Sequence, residues 1–435
     1  MRRLPAVLAL AASLASLPAA GAGESPADGW VEENLPGLVE LYTELHAAPE
    51  LSNREEQTAA TLAGLWRDAG YEVTTGIGGH GLVGVLKNGD GPTLMLRCDL
   101  DALPVTEETG VPYASAVTVE ADGGGKTGVM HACGHDIHMT TVTGTGRFLA
   151  EHQDLWSGTV MLLGQPAEET GTGAKAMLDD GLFARLPKPD YAVALHVSPT
   201  VPTGAVEAAG GYSLANVDSV DVTFTARGGH GAQPHTTVDP IVVAAQFIVS
   251  VQAVVAREIE PTAPAVITVG SIHAGTKHNI IPPECKLQLT VRSYSDDVRE
   301  QLLAGIERRA NAAAAAAGAD PPTVTTSEGT PALYNDDELT ARLKTVFRGV
   351  LGDEAVTDGE PSMGGEDFSR YGREGVPILM YRLGTVPARD LERYEAAGVA
   401  PPSLHTSTYA PDPEPSLRTG LRTMTAAALE LLGAP

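Results

Sequence analysis

Val160-Met161-Leu162-Leu163-Gly164-Gln165-Pro166-Ala167-Glu168-Glu169 is an apolar run that stops at a proline turn carrying two adjacent carboxylates. A run of that length without polar alternation reads as a strand buried on both faces, and such strands belong inside α/β sheets. The flanking sequence agrees. Asp136 to Glu151 suits a helix before the strand, Gly173 to Asp180 a helix after it, and Tyr191 to His196 the next strand. Toward the amino end, Thr58 to Gly70 has helical spacing and ends on glycine, while Tyr71 to Thr75, Leu82 to Leu86 and Thr93 to Asp99 read as strands. This is the rhythm of an α/β fold with helices on both faces of a sheet.

A different rhythm starts near Val217. Ser219 to Ala226, Val266 to His273, Lys286 to Val291 and Thr323 to Thr326 read as strands, with helices at Pro240 to Arg257 and Asp296 to Ala317. Strand-helix-strand-strand-helix-strand is the split ferredoxin-like order. The first rhythm then resumes with a helix to Leu351, a strand at Pro377 to Arg382 and a last helix from Ser416. A chain of 435 residues exceeds what one core usually serves. The expected organisation is a catalytic domain in two parts, 30–213 and 329–435, interrupted by an α+β insert at 214–328.

Lysine and arginine total 29 against 55 acidic residues, a net charge of −26, which excludes nucleic acid as a partner on electrostatic grounds. Met1-Arg2-Arg3, the apolar stretch Leu4 to Leu17 and the small residues Ala20-Gly21-Ala22 read as a signal peptide over 1–22, so the expected location is periplasmic or secreted. No later stretch reads as a membrane span. The three cysteines, Cys98, Cys133 and Cys285, are too few for a disulfide scaffold.

The chemistry concentrates in Met130-His131-Ala132-Cys133-Gly134-His135-Asp136-Ile137-His138. Any single histidine is most often structural, but a thiol and an imidazole on either side of a glycine, just before a helix, form a ligand density that packing does not require. His138, one helical turn on, is a candidate for an outer supporting role, and His131 is a weaker candidate. Glu168 and Glu169 follow a strand end, where open α/β sheets place ligands. Adjacent buried carboxylates are costly without a cation, so one suits a metal and its neighbour a general base. His196 and His405, in Ala194-Leu195-His196 and Leu404-His405, carry little weight alone.

Together with Arg97-Cys98-Asp99-Leu100-Asp101-Ala102-Leu103-Pro104, Gly228-Gly229-His230-Gly231-Ala232, Asn279-Ile280-Ile281-Pro282 and Gly365-Glu366-Asp367-Phe368, these segments occur in an order that resembles one family across nearly the whole chain. It is the hippurate hydrolase and auxin-amino acid conjugate hydrolase branch of the aminoacylase/carboxypeptidase clan of metal-dependent peptidases. The resemblance implies a catalytic mixed sheet flanked by helices and an inserted ferredoxin-like domain that forms a homodimer. It implies metal ligands at Cys133, His135, Glu169, His196 and His405, a general base at Glu168, and substrate and oxyanion contacts from His230 and Asn279 across the dimer. Arg292 matches a position associated with a substrate carboxylate, and Asp99, with Asp136, a supporting carboxylate behind the ligands. The implied reaction is hydrolysis of the amide bond of N-acyl amino acids.

Elementary chemistry is consistent with this. Five ligands exceed one tetrahedral site and suit two divalent ions, and mixed sulfur, nitrogen and oxygen donors favour zinc over manganese, cobalt or nickel. A metal-activated water would attack the carbonyl while Glu168 moves its proton to the leaving amine. The sequence departs from the family at Cys98, where a small residue is common, and at Thr406-Ser407-Thr408 after His405. Asp99 and Cys98 alternate across a strand, so no Cys98–Cys133 disulfide is expected. Two rival readings are a dipeptidase or aminopeptidase of the same clan and a non-catalytic metal-binding homologue. The Cys133–His135 pair argues against the first and the retained Glu168 against the second. A serine hydrolase lacks its G-x-S-x-G elbow here.

Overall fold

The computed structural model describes residues 23, 25–121, 123–327 and 329–434. The signal peptide reading of 1–22 lies outside the described residues.

The larger of the two main sheets has eight strands, in the order Glu72–Ile77, Gly81–Asn88, Gly158–Gln165, Thr93–Asp99, Tyr191–Pro202, Ile378–Val386, Val206–Glu207 and Val356–Thr357. It is mixed: Thr93–Asp99 runs parallel to both its neighbours, and the Glu72–Ile77 edge is antiparallel. Side chains alternate between two cores. Leu94, Leu96, Cys98, Val160 and Leu162 pack under the helices Asp28–Ala47, Glu56–Asp68, His135–Glu151 and Pro413–Leu431. Met95, Met161 and Leu163 pack on the other face with Met177, Phe368 and Tyr371. Burial on both faces is why the strand Val160 to Gly164 shows no alternation of polarity. Cys98 and Asp99 do face opposite ways, and the three cysteines are free.

One reading changes. The strand begun at Tyr191 continues past His196 to Pro202, held by parallel pairing with Ile378–Val386, so His196 lies mid-strand and not at its end. A first helix, Asp28–Ala47, runs through Pro36.

The second sheet follows the expected ferredoxin-like order along the chain and is antiparallel throughout, arranged Ala265–Ala274, Glu284–Ser293, Asn216–Thr225 and Thr323–Thr326. Pro240–Arg257 and Asp296–Ala317 cover one face, burying Phe247, Val251, Leu302 and Ile306 against Val222 and Leu289. Each helix starts on a side-chain cap, Asp239 accepting from the Ile241 amide at 2.9 Å and Ser295 from that of Val298 at 3.3 Å. Where the chain leaves and re-enters the larger unit, Gly211–Leu214 pairs with Leu333–Asn335 and Val217 bridges Thr330.

The helix Pro240–Arg257 corrects one expectation: its mean hydropathy of 1.7 over 18 residues makes it long and apolar enough to cross a membrane by length and composition. Only part of that apolar surface is used by the sheet, because Ile241, Val242 and Val249 are exposed.

Close behind the ligand-rich turn lies a buried ionic triad. His46, on the first helix, sets Nδ1 2.7 Å from Asp136 and Nε2 3.1 Å from Glu107. Burial alone would lower its pKa, but hydrogen bonds and charge from Asp136 and Glu107 win and raise it to about 9. A histidine raised from about 6.5 in the unfolded chain contributes stability in full below that value and loses it as pH rises through about 9. In chelator-treated protein the stability advantage of wild type over His46→Asn, read from urea midpoints, should therefore shrink between pH 7 and pH 10 by on the order of 3 kcal/mol in unfolding free energy. An advantage that stayed constant across that range would refute the assignment.

Candidate metal centre and its cleft

The turn before the helix His135–Glu151 is built on Gly134, whose φ of +74° suits glycine and whose absent Cβ would lie 2.6 Å from Val197 Cγ2. This close approach brings Cys133 against the strand that carries His196, with Cys133 Sγ 3.5 Å from His196 Nε2. The carboxyl-terminal loop delivers His405 from the other side. Its amide donates to Ala132 O at 2.9 Å, and its Nε2 lies 3.3 Å from Cys133 Sγ and 3.5 Å from Glu169 Oε1. His135 Nε2 is 3.8 Å from both Glu168 Oε2 and Glu169 Oε1. Cys133, His135, Glu169, His196 and His405 are thus brought together, with Glu168 beside them.

Two of the histidines are fixed in a ligating tautomer. A carbonyl oxygen can only accept, so the contacts of His135 Nδ1 with Asp101 O and of His196 Nδ1 with Val197 O, each 2.8 Å, place the proton on Nδ1. Nε2 is left with a lone pair toward the cluster. His138 carries its proton on the same nitrogen, but its lone pair is already taken. Its Nε2 accepts the Val197 amide at 3.0 Å and its Nδ1 donates to Asp99 Oδ1 at 2.7 Å, so both ring nitrogens are taken and its role is support.

Asp99 holds the position expected of it, 3.6 Å from His135 Nε2, and is fixed by His138 and by Arg97, whose Nη1 donates at 2.7 Å. Asp136 does not: it turns away from the cluster to pair with His46. The residue that supports the ligands from behind is Asp101, whose carbonyl orients His135 and whose Oδ2 accepts the Glu169 amide at 3.0 Å and the Ser52 hydroxyl at 2.6 Å. Arg97 is fully buried and also reaches Glu366 at 2.9 Å and Gln165 at 3.1 Å. A charged residue inside the apolar strand Thr93–Asp99 was the available signal for it, since arginine is seldom buried unpaired. His131 is buried, and burial lowers its pKa to about 4; the structure gives it no function.

The electrostatics ask for cations. Burial first, then Glu366 and Glu169, raise the Glu168 carboxyl well above the usual range, and burial with Asp101 brings Glu169 to about 7 despite His135. Burial, with Glu169 and Glu168, pushes the Cys133 thiol well up, while His135, which burial would lower, is held at about 10 by Asp99 and Asp101. His135 Nε2 and Glu169 Oε1 are buried without a hydrogen-bond partner. Divalent ions would satisfy both atoms and reverse these shifts, so the donor set fits a metal centre. Its groups Cys133–His135–His196, Cys133–Glu169–His405 and His135–Glu168–Glu169 each have ligand atoms within 4.8 Å of one another.

The cleft over this cluster is lined by Glu168, Glu169, His405 and Glu366 from the larger unit and by Arg292 and Ser219 from the second sheet. Arg292 is held by Thr290 Oγ1 at 3.0 Å and Met363 O at 3.1 Å. His230 and Asn279 are not among the lining residues. They sit together on an exposed two-stranded ribbon, where the Gly231 amide donates to Asn279 O at 2.9 Å.

The sequence model of peptidase family M20/M25/M40 matches residues 95–401. The chain belongs to that family. It is 34% identical over 386 residues to thermostable carboxypeptidase 2 of Saccharolobus solfataricus, covering 88% of this chain and 92% of that protein. It is 35% identical over 361 residues to N-acetyl-L-cysteine deacetylase of Bacillus subtilis, covering 80% of each. Its fold matches the crystal structure of the Bacillus subtilis YXEP protein, a dinuclear metal-binding peptidase of the M20 family, with a TM-score of 0.75 at 26% identity, over 92% of this chain and 99% of that one. Family membership makes this chain a metal-dependent amidohydrolase.

Gly134 gives the geometry a direct test. Gly134→Ala adds a strained backbone and a clash with Val197 between two candidate ligands, so metal affinity measured by titration should weaken ~10–100-fold. Unchanged affinity would show that the tight turn is not what aims Cys133 and His135.

Proposed function

We propose that this chain hydrolyses the amide bond of small N-acyl amino acids, with two divalent metal ions held by Cys133, His135, Glu169, His196 and His405. The observation that carries the reading is the convergence of these five side chains, drawn from separate segments, next to a carboxylate, Glu168, that the ligand set does not need. Bound metal ions supply Lewis acidity that polarises the amide carbonyl and eases deprotonation of water. The mixed donors favour zinc, with manganese, cobalt or nickel as alternatives.

The chain's own residues do the rest. Glu168 accepts a proton from the attacking water as its oxygen bonds to the carbonyl carbon, and returns that proton to the nitrogen as the carbon–nitrogen bond breaks. Arg292, anchored at two of its nitrogens, presents its guanidinium to a substrate carboxylate in the cleft. The deacetylase relative supports an N-acyl substrate, and the free carboxylate of an amino acid supplies the partner that Arg292 lacks. Incubating the zinc- or manganese-loaded protein with N-acetyl-, N-benzoyl- and indoleacetyl-amino acids, their methyl esters and free dipeptides tests the reading. The free acids should be cleaved and the esters should lose most of kcat/KM. Turnover of dipeptides alone would overturn it. Glu168→Ala should lower kcat by roughly 10²–10⁴ with metal content near normal, whereas Glu169→Ala should lose metal. Reversed phenotypes would exchange the two roles.

The same reading extends to a homodimer formed through the second sheet and its helices. Ile241, Val242 and Val249 leave an apolar face open, and Ala265–Ala274 is an edge strand with unpaired backbone. His230 Nδ1 accepts the Ala232 amide at 3.0 Å, so its proton sits on Nε2, where it can be donated to a developing oxyanion. Exposed and outside its own chain's cleft, His230 would serve the partner's cleft, with Asn279 beside it. Glu168→Ala and His230→Ala should each be inactive. A mixed dimer would have one intact site, and random re-assortment makes half the dimers mixed, so mixing should restore roughly a quarter of full activity. A mixture that stays dead after proven subunit exchange would place His230 outside catalysis in trans.

A further inference from the structure

We propose that Glu55 is a positioning residue for the catalytic loop: one oxygen of its carboxylate holds Ala167 in a left-handed turn that sets where Glu168 and Glu169 point. Ala167 has φ +52°, a conformation that residues with a Cβ disfavour, and it immediately precedes the two carboxylates. Strain of this kind persists only where surrounding contacts enforce it.

The contacts are present on both sides of the residue. Glu55, fully buried just before the helix Glu56–Asp68, accepts the Ala167 amide on Oε1 at 2.8 Å across 112 residues of sequence. The same oxygen accepts the amide of Asn53 at 2.9 Å, and Asn53 is itself left-handed at φ +64°. One oxygen atom therefore ties together two of the three described non-glycine residues with positive φ. On its carbonyl side, Ala167 O accepts the amides of Thr172 and Gly173, each at 3.2 Å. The loop has no slack there, since a Cβ on Gly173 would lie 1.5 Å from Pro166 O.

The turn has a chemical consequence. Neighbouring carboxylates that pointed the same way would compete for one site. Here both reach His135 Nε2 at 3.8 Å, but beyond it Glu168 meets Glu366 and Asp367, while Glu169 meets Cys133 and His405. Glu55 is not among the residues lining the cleft. Its second oxygen, Oε2, is buried without a hydrogen-bond partner, a cost that local helix capping does not require. A Glu at this position is thus explained by what Oε1 does to Ala167.

The proposal rests on Glu168 being the general base, and the experiment separates the two ideas. In metal-loaded enzyme, Glu55→Asp draws the oxygen back by one carbon–carbon bond, ~1.5 Å, out of reach of Ala167. It should lower kcat by about 10- to 100-fold with KM within about threefold, and speed amide exchange in the peptide 165–173. Glu55→Gln keeps an acceptor at the same place and should restore both kcat and exchange to near wild type. Glycine adopts the left-handed turn unaided, so Ala167→Gly added to Glu55→Asp should recover kcat by about fivefold or more. Unchanged exchange in Glu55→Asp, damage in Glu55→Gln equal to that in Glu55→Asp, or no recovery from Ala167→Gly would each overturn the proposal. Faster exchange with unchanged kcat would uphold Glu55 as the holder of the turn and refute Glu168 as the base.

Discussion

Buried negative charge is the constraint on which the rest of the structure depends. Asp99, Asp101, Glu168, Glu169, Glu366 and Asp367 gather at the ends of adjacent strands, and Arg97 is the permanent cation buried among them. Carboxylates this close cannot all ionise without compensation, which is why Glu169 and Asp367 are pushed to about 7, by burial foremost. Arg97 takes Asp99, Glu366 and Asp367 into salt bridges, while Glu168 and Glu169, which it does not pair, line the cleft beside Glu366. The need for a divalent cation therefore falls on the side where a substrate can arrive.

The scaffold maintains this arrangement with donors that come from rigid elements. The Glu169 amide is held by Asp101, the Ala174 amide by Asp367 at 2.9 Å, and the Ala167 amide by Glu55. Carboxylates at the centre thus also serve as acceptors for the backbone of the loop that carries Glu168 and Glu169. Removing charge from the centre to relieve repulsion would also release the loop. This coupling explains how repulsive groups stay fixed at one place: each is bonded to a segment that positions another.

The opposing wall of the cleft has different physics. The second sheet contributes Arg292 but no dense ionic network, and Pro240–Arg257 leaves apolar side chains exposed. A guanidinium fixed by a hydroxyl and a carbonyl, neither of them charged, keeps its charge for another partner, whereas Arg97 spends its charge on three carboxylates. Burial lowers the pKa of Arg292, whereas in Arg97 burial is outweighed by Glu366, Asp99 and Asp367, which raise it. The two walls of the cleft therefore differ in electrostatic character.

How much of this could be read from sequence follows from where each residue's partner lies. Strand and helix identities were readable because periodicity is local, and both helices of the second unit appear at the expected residues, Pro240–Arg257 and Asp296–Ala317. Cys133 and His135 were readable because they flank one glycine, and Glu168 with Glu169 because they end one strand. Asp136 was expected as support from the family resemblance, but helical geometry turns it toward His46, 90 residues away in sequence. Asp101 and Glu55 gave no signal, since an acidic residue in a loop is ordinarily solvated and their partners at 169 and 167 are remote. His196 and His405 gained weight only from family resemblance, because a lone imidazole has no local pattern. What spacing cannot encode is whether a lone pair stays free. His135, His196 and His138 all carry the proton on Nδ1, but the Val197 amide occupies Nε2 of His138, whereas Nε2 of His135 and His196 is left toward the cluster, and that difference is set by the fold.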